Sequence, residues 1–126
     1  MSARFERPTA TPNSNKTKGT HWESDVVRYL KANGFPRAHR VAQTGRNDSG
    51  DIHGAGPFVL QAKNYSNLTE GLRLGVAGAR SQAAVAGYPF GAAVVKRRNK
   101  GAADAYVVMD LETFTRLIAS AFPAPV

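Results

Sequence analysis

Three segments of this chain of 126 residues predict an α/β domain, in which helices flank a sheet. Trp22, Val26, Tyr29 and Leu30 recur at helical spacing. Phe58 to Lys63 alternates, with Phe58, Leu60 and Ala62 on one side and Val59, Gln61 and Lys63 on the other, as a strand requires. Between that strand and a second apolar run, Gly91–Val95, lies the Ala-rich stretch Leu68–Ala86, long enough only for a helix.

The remaining elements follow from local signals. Residues Met1 to Lys16 mix Pro, Thr, Ser, Asn and basic side chains without periodicity and read as a disordered basic arm, either a solvated tail or a strand of charge along a polyanion. The first helix is expected to start at Thr20, where Thr20-His21-Trp22-Glu23 forms a capping box, and to end at Gly34-Phe35-Pro36. Arg37 to Thr44 reads as a strand, and Thr44–Gly50 as a polar loop carrying Arg46. Gly54-Ala55-Gly56-Pro57 turns the chain back before Phe58. Gly71, Gly75 and Gly78 each weaken the next helix by about 1 kcal/mol relative to Ala, so a close approach to the sheet or a helix is the expected compensation. Tyr88-Pro89 ends it. Ala105–Met109 reads as a last strand and Leu111–Ala121 as a last helix, followed by a frayed tail, Phe122 to Val126; one domain, residues 17–121, holds all of these elements.

Folding about the Gly-Pro turn sets Asp51 opposite Gln61, with Lys63 on the same face as Gln61. A carboxylate, an amide oxygen and an ammonium then converge, a set that suits a hard divalent cation and an anionic substrate. Bland readings stand beside this one. Asp51 after Ser49-Gly50 closes a turn, Lys63 protects an edge strand, and Glu23 serves the helix cap, alone or together with a site role. His53 shares the nominal face of Asp51, while His21 and His39 have no constellation; Trp22 and Phe58 are most simply core residues.

Asp51, nine intervening residues and Gln61-Ala62-Lys63, preceded by the helix opening at Trp22-Glu23-Ser24-Asp25, resemble the PD-(D/E)xK nuclease superfamily over Thr17 to about Arg98. The first helix resembles that of archaeal-type Holliday junction resolvases, and Gln in place of the acid is similar to Mrr-type restriction endonucleases. The resemblance implies a restriction-endonuclease-like αβββαβ core with a central mixed sheet flanked by helices. It implies Glu23, Asp51, Gln61 and Lys63 as catalytic residues, with Glu23, Asp51, Gln61 and the Ala62 carbonyl around Mg²⁺, for which Mn²⁺ can substitute. Lys63 would stabilise charge on the phosphate or position the attacking water. The substrate implied is branched DNA, such as a four-way junction, cut by a homodimer that places two sites across it.

Composition points the same way. Seventeen Lys and Arg against nine Asp and Glu, a formal charge of +8, favour a polyanionic partner. Candidate DNA contacts are Lys18, Arg46, Tyr65 and the basic run Lys96, Arg97, Arg98 and Lys100. The absence of Cys excludes thiolate metal sites and cysteine nucleophiles. No apolar run reaches the roughly 20 residues of a membrane span, and no apolar leader opens the chain, so a soluble cytoplasmic protein is expected. Gln61 keeps two alternatives open, an Mrr-like restriction or repair nuclease and a noncatalytic DNA-binding module on a nuclease fold. A basic structural protein would leave the Asp51, Gln61 and Lys63 arrangement accidental.

Overall fold

The computed structural model describes residues 12–41, 51–64, 67–123 and 125. Its elements run α1 (Pro12–Ala32), β1 (His39–Val41), β2 (Asp51–Ala55), β3 (Phe58–Lys63), α2 (Leu68–Ala86), β4 (Phe90–Val95), a 3-10 turn (Ala102–Asp104), β5 (Tyr106–Val108) and α3 (Leu111–Ala121). One sheet in the order β1-β2-β3-β4-β5 holds all five strands. β3 and β4 are parallel, joined through α2, and the other neighbours are antiparallel, which gives the expected mixed α/β sheet. Among the described residues, no helix is long and apolar enough to cross a membrane.

The alternation along β3 determines what each helix covers. Leu60 and Ala62 join Ala92 and Val94 of β4 beneath Trp22 and Val26 of α1, with Ile52 and Ala55 completing that core and Phe58 packed against it. Val59, Gln61 and Lys63 turn to the other face, under α2. The two helices therefore cover opposite faces, and the polar side chains of β3 lie beneath α2. The glycines of α2 explain how it can sit so low. A Cβ on Gly75 would lie 2.8 Å from that of Ala93, and one on Gly91 of β4 would lie 2.2 Å from the Ala79 carbonyl oxygen. Helix and sheet thus meet backbone to backbone, the compensation expected for glycines in a helix interior.

One boundary differs from expectation. The first helix starts at Pro12, not Thr20, so the Thr20 capping box lies inside a continuous helix and residues 12–16, expected in the arm, are helical. A helix anchored by the packed turn at Trp22 and Val26 extends toward the N-terminus until proline, which suits a first turn and disfavours helical geometry in the residue before it. Of the expected strand from Arg37 to Thr44, only His39–Val41 is strand; Arg37 lies in the turn after α1 and Ala38 precedes the strand, while residues 42–44, with the Arg46 loop, lie outside the described residues, as do residues 1–11.

Candidate active site

Asp51 pairs with Gln61 across the β2–β3 ladder, and on its other side with Val41 of β1. This register follows from the turn, where positive φ at Gly54 and Gly56 and a bulge between Ile52 and Ala55 let a short connection close without shifting the Asp51 end. Gly54 has no alternative: a Cβ there would lie 2.2 Å from the Arg37 carbonyl oxygen. At the far end of the hairpin the Gln61 amide donates a buried hydrogen bond to the Asp51 carboxylate. Asp51 is a buried strand residue in this ladder, while the Ser49-Gly50 turn before it lies outside the described residues.

Lys63 lies two residues beyond Gln61 on the same face, at the C-terminal end of β3. The strand is central, flanked by β2 and β4, so protection of an edge does not account for Lys63. Burial lowers its pKa below the ordinary lysine value, and the carboxylates of Asp51 and Glu23 oppose that shift. Lys63 therefore feels both carboxylates although they come from different elements. Gly75 and Gly78 of α2 close the site from above: Cβ atoms there would lie 3.3 Å from the Lys63 Cγ and 3.2 Å from the Gln61 Oε1.

Glu23 reaches the same end of the sheet from α1. Trp22 Nε1 donates to the Val94 carbonyl at 3.1 Å, which pins this turn of α1 to β4 and presents the next residue at the sheet's margin. Glu23 is buried, and Arg40 of β1 donates to its Oε1 through Nε at 3.1 Å. Because α1 continues through Thr20, the capping reading of Glu23 falls away. Arg40 was not singled out from sequence. The signal was there, a basic residue on the strand packed beside the glutamate-bearing helix turn, but only the register Arg40↔Ile52 shows that it faces α1 with Ile52.

Other expected residues separate. In the basic run, Lys96 Nζ donates to the Lys100 carbonyl at 2.9 Å and sits 5.5 Å from the Trp22 ring centre, while Arg97 lies over the Tyr106 ring and faces the Asp104 carbonyl. Both hold their own loop together, and Arg98 and Lys100 extend into solvent at the Lys63 end of the sheet, where Lys96 N donates to the Lys63 carbonyl. Lys18 lies within α1 and its side chain is outside the described part; Arg46 and Tyr65 are outside the described residues. His53, two residues along β2 from Asp51, is half-buried between His39 and Tyr88, and its Nε2 has no hydrogen-bond partner among the described residues.

The donor set suits a hard cation. No three His, Asp or Glu side chains gather among the described residues, so the oxygens available are the carboxylates of Asp51 and Glu23, the Gln61 amide and a main-chain carbonyl. Carbonyls alternate sides along a strand; since the Lys63 carbonyl accepts from Lys96 on the β4 side, that of Ala62 turns toward the start of β2, where Asp51 lies. The Gln61 amide now presents its nitrogen to Asp51. A half-turn of that amide presents its oxygen instead and swings the nitrogen toward Gly78, where the missing side chain leaves room. No family model, curated protein or solved structure matches this chain.

Proposed function

We propose that this chain is a metal-dependent DNA endonuclease of the PD-(D/E)xK type that hydrolyses phosphodiester bonds in branched DNA, in the manner of a Holliday junction resolvase. The observation that carries the reading is the meeting, at one end of the sheet, of Asp51 against Gln61, with Lys63 under the influence of both Asp51 and Glu23. Four side chains from two strands and a helix are buried together without forming part of the apolar core. Buried polar clusters of this kind, which must be paired to be tolerated, concentrate at functional sites.

Bound there, Mg²⁺ or Mn²⁺ supplies a Lewis acid and an activated water. Asp51, the Gln61 oxygen, the Ala62 carbonyl and Glu23 would hold it. Lys63 places an ammonium beside the phosphate, where negative charge grows as the phosphorus–oxygen bond breaks. Exposed Arg98 and Lys100 hold the backbone of the duplex arms. A twofold pair of chains supplies a cut to each of two related strands.

Gln61 favours one further reading, an Mrr-like nuclease acting on linear duplex. The test is cleavage of labelled four-way junction, linear duplex and single strand with Mg²⁺, Mn²⁺ or EDTA, by the parent and by Asp51→Asn. Paired nicks in the junction, lost with EDTA and in the variant, are expected. Duplex cutting would transfer the reading to the restriction or repair class. Salt-sensitive binding of all substrates with no cleavage under either metal would refute catalysis and leave a DNA-binding module.

A further inference from the structure

Strands β1 and β2 place two histidines opposite each other, His39 against His53, in the same ladder that sets Val41 against Asp51. Arg40 and Ile52 form the intervening pair and turn to the α1 side, so both imidazoles belong to the other face of the sheet. Directly opposed residues have Cβ atoms about 4.5–5.5 Å apart, close enough for two rings to meet one ligand. The ring centres of His39 and His53 stand 6.0 Å apart, and the Tyr88 ring packs 5.0 Å from that of His53.

The nitrogens of the pair are disposed as ligands. His39 Nδ1 lies 2.9 Å from the Arg37 carbonyl oxygen, and because a carbonyl only accepts, Nδ1 carries the proton and Nε2 of the neutral ring keeps its lone pair. A backbone carbonyl on the second ring nitrogen is the partner that orients a metal-binding imidazole. That carbonyl is itself held in place, since it occupies the space a Cβ on Gly54 would need, 2.2 Å away. His53 Nε2 is buried with no hydrogen-bond partner among the described residues. A buried polar atom left so is unfavourable, and an occupant that the protein itself does not supply would satisfy it.

The geometry points to a second metal site, separate from the Asp51 cluster, in which Nε2 of His39 and Nε2 of His53 bind one divalent transition-metal ion such as Zn²⁺. Imidazole nitrogens suit Zn²⁺, Cu²⁺ and Ni²⁺, whereas the oxygens around Asp51 suit Mg²⁺ and Mn²⁺. Two imidazoles bound to one ion at about 2.0–2.1 Å hold their ring centres roughly 5–6.5 Å apart, and the observed 6.0 Å falls in that range. His39 is exposed, which gives the ion a path in, and water fills the other positions, because no third His, Asp or Glu joins the pair among the described residues. An ion there ties β1, at the edge of the sheet, to β2 and braces the strand whose next residue, Arg40, holds Glu23. The site stands on the histidine pair and does not depend on the nuclease reading.

The untagged full chain has three histidines, His21, His39 and His53, so NMR of the imidazole rings can follow each one without any substitution. Zn²⁺ titrated to equimolar should shift the ring signals of His39 and His53 together and leave those of His21, exposed on α1, in place. Calorimetry with Zn²⁺ supplies the second readout, carried out on Asp51→Asn so that the oxygen cluster does not compete. There His39→Gln, a change at an exposed residue, should weaken binding roughly a hundredfold or more, beyond the 10–100-fold that loss of an outer-shell partner costs, and His21→Gln should leave it unchanged. Equal shifts at all three rings, shifts at His21 alone, no shift at equimolar Zn²⁺, or full affinity in His39→Gln would overturn the assignment and leave the pair as a ring contact with water on Nε2. Mn²⁺ binding by the parent and by Asp51→Asn is measured alongside. Zn²⁺ binding kept in Asp51→Asn while Mn²⁺ binding falls supports two separate sites, so failure at the histidine pair and failure of the active-site reading are told apart.

Discussion

Exchanging Gln61 for glutamate probes the centre of the site, because Gln61 and Asp51 are both buried and hydrogen-bonded to each other. The exchange removes a charge-assisted hydrogen bond worth about 1.5–3 kcal/mol. It also sets two carboxylates side by side, a repulsion of about 4 kcal/mol at 4 Å and an effective dielectric constant near 20. Protonation limits that cost. Holding one proton on a carboxyl with an ordinary pKa of about 4.3 takes roughly 3.7 kcal/mol at pH 7, and the shared proton restores an O–H···O bond. The metal-free variant should therefore lose about 2–4 kcal/mol, which for a chain of this size lowers the melting temperature by roughly 8–16 °C. The sign with pH is definite. The pair's folded pKa is raised, so the variant matches the parent near pH 4 and loses stability as pH climbs through that folded pKa. Millimolar Mn²⁺ should restore the melting temperature, and calorimetry should show Mn²⁺ bound more tightly than by the parent. Identical melting curves for parent and variant at pH 7, with and without Mn²⁺, would refute both the contact between Gln61 and Asp51 and the ligand role of Gln61.

Three further outcomes follow from the same geometry. Because burial lowers the Lys63 pKa, cleavage that depends on its charge should decline with rising pH below the ordinary lysine value of 10.5, and Lys63→Arg should move that decline upward in a pH–rate profile. Arg40→Gln removes the cation 3.1 Å from Glu23, so titration should show tighter Mn²⁺ binding. Arg40 is 44% exposed at the same margin, so DNA binding by this variant should weaken and the slope of log affinity against log salt should fall by about 0.9 if Arg40 also meets a phosphate. Gly91→Ala, whose Cβ would lie 2.2 Å from the Ala79 carbonyl oxygen, should cost at least about 3 kcal/mol in a denaturant melt. Gly78→Ala meets only the movable Gln61 amide, at 3.2 Å, so it should fold nearly as well and affect Mn²⁺ binding more than stability.

Much of this arrangement was legible before the structure, for identifiable reasons. Period-two alternation in Phe58–Lys63 and the Gly-Pro turn specify register, and register alone puts Asp51 opposite Gln61. The α2 boundaries follow from Asn67 capping Glu70 N at one end and left-handed Gly87 at the other, both short-range signals. What escaped depends on contacts between distant segments. A capping box at Thr20 is a sound local motif, yet the helix passes through it, because the motif describes how an end is satisfied and not whether the chain ends there. Arg40 is an ordinary strand arginine until β1 is laid beside β2 beneath α1. The helix at Leu111–Ala121 was equally legible, but its amphipathic period is silent about which side meets the body; the pairings of Asp110 and Arg116 decide that.

The charges of the site suggest why a neutral amide is tolerable where an acid would be the usual choice. Among the described residues, two carboxylates, Asp51 and Glu23, stand with two cations, Lys63 and Arg40. With an amide at position 61 that set balances, and the cluster can be buried as the chain folds without waiting for a metal. A third carboxylate would leave excess negative charge in a buried space, to be relieved only by a bound cation or a proton. The balance has a counterpart in function. A divalent cation entering a neutral cluster brings uncompensated positive charge, which the phosphates of DNA are suited to offset, so cation and substrate should each strengthen the binding of the other. Arg40 would give that coupling a route: a phosphate that drew the guanidinium outward would free the Glu23 oxygen it now holds for the cation. On the proposed nuclease reading, Gln61 would then be the residue that makes tight metal binding conditional on substrate.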